Sequence, residues 1–116
     1  MIEEHITLDQ QWEFLLDKLE KVVGKRPADL NGVLFLIGVQ ELGKGVLHFT
    51  KEQKQDLMHI GVCTVTGISG YYEKTGVDAD GWPIFELKQK LPFSDLTNQE
   101  QFLKMHVIEY FKKVLQ

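Results

Sequence analysis

The chain reads as an all-α, four-helix-bundle-like single domain over residues 1–116, with an irregular stretch at 74–96 that has room for a short extra helix or a small extended piece. Three observations predict this. Thr-x-x-Gln/Glu capping boxes stand at Thr7, Thr50 and Thr97; in such a box the threonine hydroxyl accepts from the N3 amide and the N3 side chain reaches back to the cap amide. Apolar residues recur at helical spacing behind these starts. Glycine and proline then punctuate the chain where helices should stop, at Gly24 with Pro27, at Gly43 with Gly45, and at Pro92.

The first helix is expected from Leu8 to Val23, because Leu8, Trp12, Leu15, Leu16, Leu19, Val22 and Val23 fall on one apolar face. The second should start at Asp29, a good N-cap, and end near Gly43. Its middle, Val33 to Ile37, is apolar all round, which places it centrally. A buried strand is the rival reading of so short a run, but the cap and the length favour a helix.

The third helix begins after Thr50 with six polar residues and then enters the most informative part of the chain, a sixteen-residue stretch without formal charge, Leu57 to Tyr72. A run of this kind is normally buried, and its polar groups then need partners. Propensities conflict here. Ile60, Val62, Thr64, Val65, Thr66 and Ile68 favour a strand, and Gly61, Gly67 and Gly70 weaken a helix. A strong start with no breaker behind it favours one long helix, on which His59, Cys63, Thr66, Gly67 and Gly70 form a small-residue stripe open to a neighbouring helix. Beyond it, Asp78-Ala79-Asp80-Gly81 reads as a turn. Pro83 then opens either a short helix or an extended segment over the bundle. The last helix should run from Asn98 to about Leu115 on Leu103, Val107, Tyr110, Phe111 and Val114.

Composition narrows the function classes. At 43% hydrophobic and 26% charged residues the chain is neither disordered nor a coiled-coil rod. A net charge of −4 gives no electrostatic reason to expect nucleic acid or an anionic membrane as partner. The pairs Lys25-Arg26 and Lys112-Lys113 suit helix ends, where cations favour the dipole. One cysteine makes no disulfide framework, the acidic start lacks the features of a secretory signal, and the charge-free run is too short to cross a bilayer. A cytoplasmic protein is expected.

Several constellations carry candidate chemistry. Asp56 and His59 stand three residues apart, as do His106 and Glu109, and Glu41 lies near the end of the apolar second helix. Paired carboxylate and imidazole groups on facing helices build metal sites in bundles, which makes Glu41, Asp56, His59 and His106 a candidate set for zinc, iron or manganese. Read without a metal, His59 is a hydrogen-bonded core residue and Asp56, His106 and Glu109 are surface groups; the balance lies there, and no cofactor is expected. Gln40, Glu41, His59, Cys63 and Tyr72 would line a polar ligand pocket. In it a buried Glu41 with a raised pKa would be the base. Cys63 has no cation nearby and reads as a small core residue rather than a nucleophile. The 78–81 turn is no calcium loop, because alignment on Gly81 puts Gly76 and Leu87 where carboxylates are required. Tyr71, Trp82, Ile84 and Phe85 gather around the irregular segment as either a core lid or an association patch.

The leading expectation is a small non-enzymatic interaction module that self-associates, as a homodimer, through those aromatics. The alternative is a helical bundle with an internal pocket for a metal ion or small ligand, catalytic through Glu41 and His59.

Overall fold

The computed structural model describes residues 6–45 and 48–115. Four helices and two strands follow in the order α1 (Leu8–Val23), α2 (Leu30–Leu42), α3 (Lys51–Gly67), β1 (Tyr72–Val77), β2 (Pro83–Leu87) and α4 (Leu96–Val114). The chain divides into two compact units, Met1–Ala28 with Phe93–Gln116 and Asp29–Pro92. The expected all-α, four-helix-bundle-like class is therefore corrected to a mixed α/β one, since β1 and β2 pair as an antiparallel hairpin.

Within the first unit α1 packs on α4. The Thr7 box forms as expected: the hydroxyl accepts from the Gln10 amide at 3.1 Å, and the Gln10 side chain accepts from the Thr7 amide at 3.0 Å. Gly24, in the left-handed region at φ 83°, closes the helix by donating to the Glu20 carbonyl. Trp12, Leu15, Leu16 and Leu19 are its buried residues. The cap of α4 differs from expectation. Asp95, not Thr97, accepts from the Asn98 amide at 2.8 Å, and the Asn98 side chain returns a bond to the second Asp95 oxygen at 3.0 Å. A carboxylate accepts from an N-terminal amide more strongly than a hydroxyl, and its charge faces the positive end of the dipole, so the start moves two residues upstream to Leu96.

In the second unit α2 and α3 cross at backbone contact. A Cβ built on Gly38 would lie 2.0 Å from the Leu57 carbonyl oxygen, and one built on Gly61 would lie 2.3 Å from that of Leu34. The two contacts are reciprocal and run in opposite chain directions, so the helices are antiparallel. The small-residue stripe expected to meet a helix meets the hairpin instead: Gly67 faces the Tyr72 carbonyl and Gly70 the side chain of Gln89.

The conflict inside the charge-free run resolves as helix up to Gly67. Thr64 and Thr66 return their hydroxyls to the carbonyls of Ile60 and Val62 at 2.7 and 2.6 Å, which satisfies β-branched polar side chains inside a helix. The helix ends sooner than expected because the Thr66 carbonyl takes the amides of Ser69 and Tyr71, and Gly70 turns the chain at φ 83°.

The turn at 78–81 forms as read. The Asp78 carboxylate accepts from the amides of Asp80 and Trp82, each at 2.9 Å, and Gly81 sits at φ 84°. Lys44 donates to the Asp80 carbonyl. Pro83, read as a helix or strand opener, is the first residue of β2, where its missing N–H costs no interior ladder bond. The register shifts between Lys74 and Gly76, which leaves Thr75 as an extra residue on β1. The hairpin covers a core of Leu42, Leu57 and Ile60, against which Phe35, Val39, Phe49, Trp82 and Phe85 pack. Phe49 stands edge-on to both Phe35 and Trp82, with ring centroids 6.1 and 6.3 Å apart.

Two stability outcomes follow. Gly38→Ala and Gly61→Ala should each lower unfolding free energy by about 3 kcal/mol in urea melts, although alanine is the better helix former, because the added methyl meets backbone that cannot give way. Asp95→Ala should cost about 1 kcal/mol and Thr97→Ala well under half of that, which identifies the working cap.

Candidate functional site

The structure gathers three of the sequence candidates. On α3, the Cys63 sulfur lies 3.4 Å from the His59 Nε2, and Tyr72 on β1 stands edge-on to the His59 ring with centroids 6.0 Å apart. Cys63 is fully buried, whereas His59 is exposed and Tyr72 half-buried. The expectation of a core histidine is thus corrected. His59 lies on the outer margin of α3, because the face that packs on α2 is the one bearing Leu57, Ile60 and Gly61.

The chemistry of this group is quiet. Burial pushes the Cys63 thiol up to about 11. Burial also raises the Tyr72 hydroxyl, with a further contribution from the field of Cys63. A thiol is nucleophilic as thiolate, and among the described residues no cation or helix N-terminus lowers the Cys63 pKa. The contact is a hydrogen bond between a protonated thiol and an imidazole, not an activated dyad.

The remaining candidates are placed elsewhere. Gln40 and Glu41 are exposed near the end of α2, so Glu41 is not the buried base the pocket reading needs. Asp56 is exposed one turn before His59. His106 belongs to the other unit, where its Nδ1 bonds the Phe102 carbonyl at 2.9 Å. Among the described residues no three His, Cys, Asp or Glu side chains converge to hold a metal ion. Trp82 and Phe85 pack on the core as a lid, Tyr71 is half-buried, and Ile84 stands 45% exposed on the hairpin.

A surface that the sequence reading did not single out lies between α1 and α4, within the first unit. It is a groove of about 460 Å³. Its floor is Leu15, Ile108 and Phe111, all nearly buried, and its walls are Leu115 and Phe14, the latter 55% exposed. Gln11 and the side chains of Lys18 and Lys112 complete the lining, so among the described residues it carries two cations and no carboxylate. The missed signal is an apolar residue off the stripe: Phe14 falls outside the face set by Trp12, Leu15 and Leu19, and Ile108 outside that set by Leu103 and Val107.

The charges of α1 are sorted by one residue. Arg26, after the helix end, reaches back to Asp17 at 2.5 Å, Glu13 at 2.6 Å and Glu20 at 3.7 Å. The Asp17 hydrogen bond in particular holds the guanidinium more firmly charged. These three carboxylates stand at i, i+4 and i+7, which already places them on one face of α1, and Arg26 lies against that face. Lys18 has no carboxylate partner among the described residues, and Lys112 has the exposed Glu109 at 3.3 Å. A pair so solvated is weak and exchangeable.

No protein family, curated protein or solved structure matches this chain at a significant level.

The state of Cys63 is directly measurable. A rise from the ordinary 9.0 to about 11 lowers the thiolate fraction about 100-fold below pH 9. Disulfide-exchange labelling of the native protein should therefore be at least about 100-fold slower than in denaturant. The folded pKa lies above the unfolded one, so the folded state holds the proton that the unfolded state releases. Stability should then fall as pH rises from 9 towards 11, and Cys63→Ala should flatten that decline apart from what Tyr72 contributes. Native labelling at the rate of an exposed thiol would contradict both.

Proposed function

We propose that the chain is a non-catalytic protein-interaction module whose working surface is the α1/α4 groove, rather than an enzyme or a metal carrier. The single observation that carries this reading is the groove's lining: an apolar floor opened to solvent by Phe14 and edged by Lys18 and Lys112. Apolar surface gathered in one concave place with a polar rim is what a docking partner covers. The Cys63 thiol supports the non-catalytic half of the proposal, because it is buried and held protonated. The core-lid positions of Trp82 and Phe85 move the interaction surface away from the hairpin aromatics. Among the described residues no helix is long and apolar enough to cross a membrane. A cytoplasmic setting is part of the proposal and is supported by a single cysteine kept as a free thiol.

The test uses the untagged protein. The dye ANS should bind the folded chain, and Phe14→Ser should remove most of that fluorescence without lowering the melting temperature, since Phe14 is largely exposed. Native mass spectrometry should show no metal-sized increment. Dye binding unchanged in Phe14→Ser removes the groove as the working surface. A metal- or ligand-sized mass lost in His59→Ala, with the fold intact, replaces this reading by the pocket one.

A further inference from the structure

We infer that the partner taken by this groove is an acidic amphipathic helical segment of another protein; the inference rests on the groove being the working surface. The shape of the groove fits a helix. The lining comes from positions 11, 14, 15 and 18 of α1, from 108, 111 and 112 of α4 and from Leu115, which caps it, the i, i+3, i+4, i+7 spacing in both segments. Each set spans two turns, about 10 Å of trough. A trough open along its length leaves much of a small ligand in water, whereas small-molecule sites bury most of theirs. A helix laid along it buries a stripe of anchors at the same spacing and keeps its other face solvated.

The charge of the lining sets the sign of the partner. The chain is net −4, yet among the described residues the groove is lined by two lysines and no acid. Lys18 meets no carboxylate among the described residues, and Lys112 meets only a solvated one. The three carboxylates that Arg26 meets, Glu13, Asp17 and Glu20, lie on another face of α1 than the groove positions. Apolar anchors flanked by Glu or Asp would seat on Phe14, Phe111 and Leu115 and pair with Lys18 and Lys112. Such complementarity sets specificity and association rate more than raw affinity. A second copy of this chain is the weaker occupant, because Arg26 sets a positive charge against the acidic stripe of its α1.

The experiment is fluorescence anisotropy with two labelled synthetic peptides of about 18 residues, long enough to form a helix. Both carry Leu at i, i+4 and i+7; one has Glu flanks and the other Lys flanks. The Glu peptide should bind at least about 10-fold more tightly, with the preference shrinking as salt rises. The double variant Lys18→Glu/Lys112→Glu should reverse the preference, and Phe14→Ser should weaken the Glu peptide about 10-fold, with melting temperatures unchanged. Equal affinity for both peptides, with Phe14→Ser still weakening each, overturns the acidic-partner inference and leaves the groove reading standing. Oleate displacing ANS where neither peptide binds overturns it in favour of a small amphiphilic anion. A concentration-dependent dimer lost in Phe14→Ser, without peptide binding, overturns it in favour of a second copy. No binding of either peptide, no dimer, and ANS fluorescence indifferent to Phe14→Ser overturns the inference and the proposed function together.

Discussion

The crossing of Gly38 and Gly61 is the constraint on which the second unit depends. Each glycine lets the other helix's backbone approach to a distance that no side chain tolerates, against Leu57 on one side and Leu34 on the other. Two antiparallel helices so close share almost no interlayer space, and their larger side chains are pushed to the margins of the contact. Leu42, Leu57 and Ile60 then form a core that needs a cover on one side. The same glycines that weaken α2 and α3 as isolated helices make them a pair, because packing outweighs about 1 kcal/mol of propensity per glycine.

The hairpin is the cover. Tyr72, Trp82 and Phe85 are its residues turned towards the helices, and Glu73, Glu86 and Lys88 form an ion-paired group on the strands. A two-stranded sheet is marginal alone, so its stability depends on the core it closes. The local chemistry that aims it is modest: Gly70 in the left-handed region, the Asp78 side chain folding the turn, and Lys44 reaching the Asp80 carbonyl. Cys63 is sealed beneath this arrangement. The seal makes it a poor nucleophile and separates it from the exposed His59 in everything but one hydrogen bond.

Charge is distributed with less symmetry than the composition suggests. Arg26 meets three carboxylates on one face of α1, while Lys18 of α1 and Lys112 of α4 line an apolar groove with Phe14 exposed in it. Each surface pair contributes little to stability. Among the described residues, Lys18 and Lys112 are the charged groups lining an apolar floor, and that combination supports the docking reading proposed above.

Local signals carried much of this protein into the sequence. The Thr7 and Thr50 boxes, the Asp29 cap, and the stops at Gly24 and Gly43 are decided by hydrogen bonds within a few residues, and these ends stand where the residues imply. The turn at 78–81 is equally local. What the sequence alone could not decide depends on long-range partners. Whether Pro83 opens a helix or a strand was settled by pairing with Val77. Which glycines meet was settled by the crossing of α2 and α3, which passes over the Gly67 and Gly70 stripe and selects Gly38 and Gly61. Whether His59 and Glu41 are buried was settled by which face of each helix is covered, and the charge-free run contains more residues than that face can hide. The α1/α4 groove brings together residues more than ninety positions apart. No periodicity within one helix specifies its neighbour across so long a separation; only the packing of the two faces creates the site.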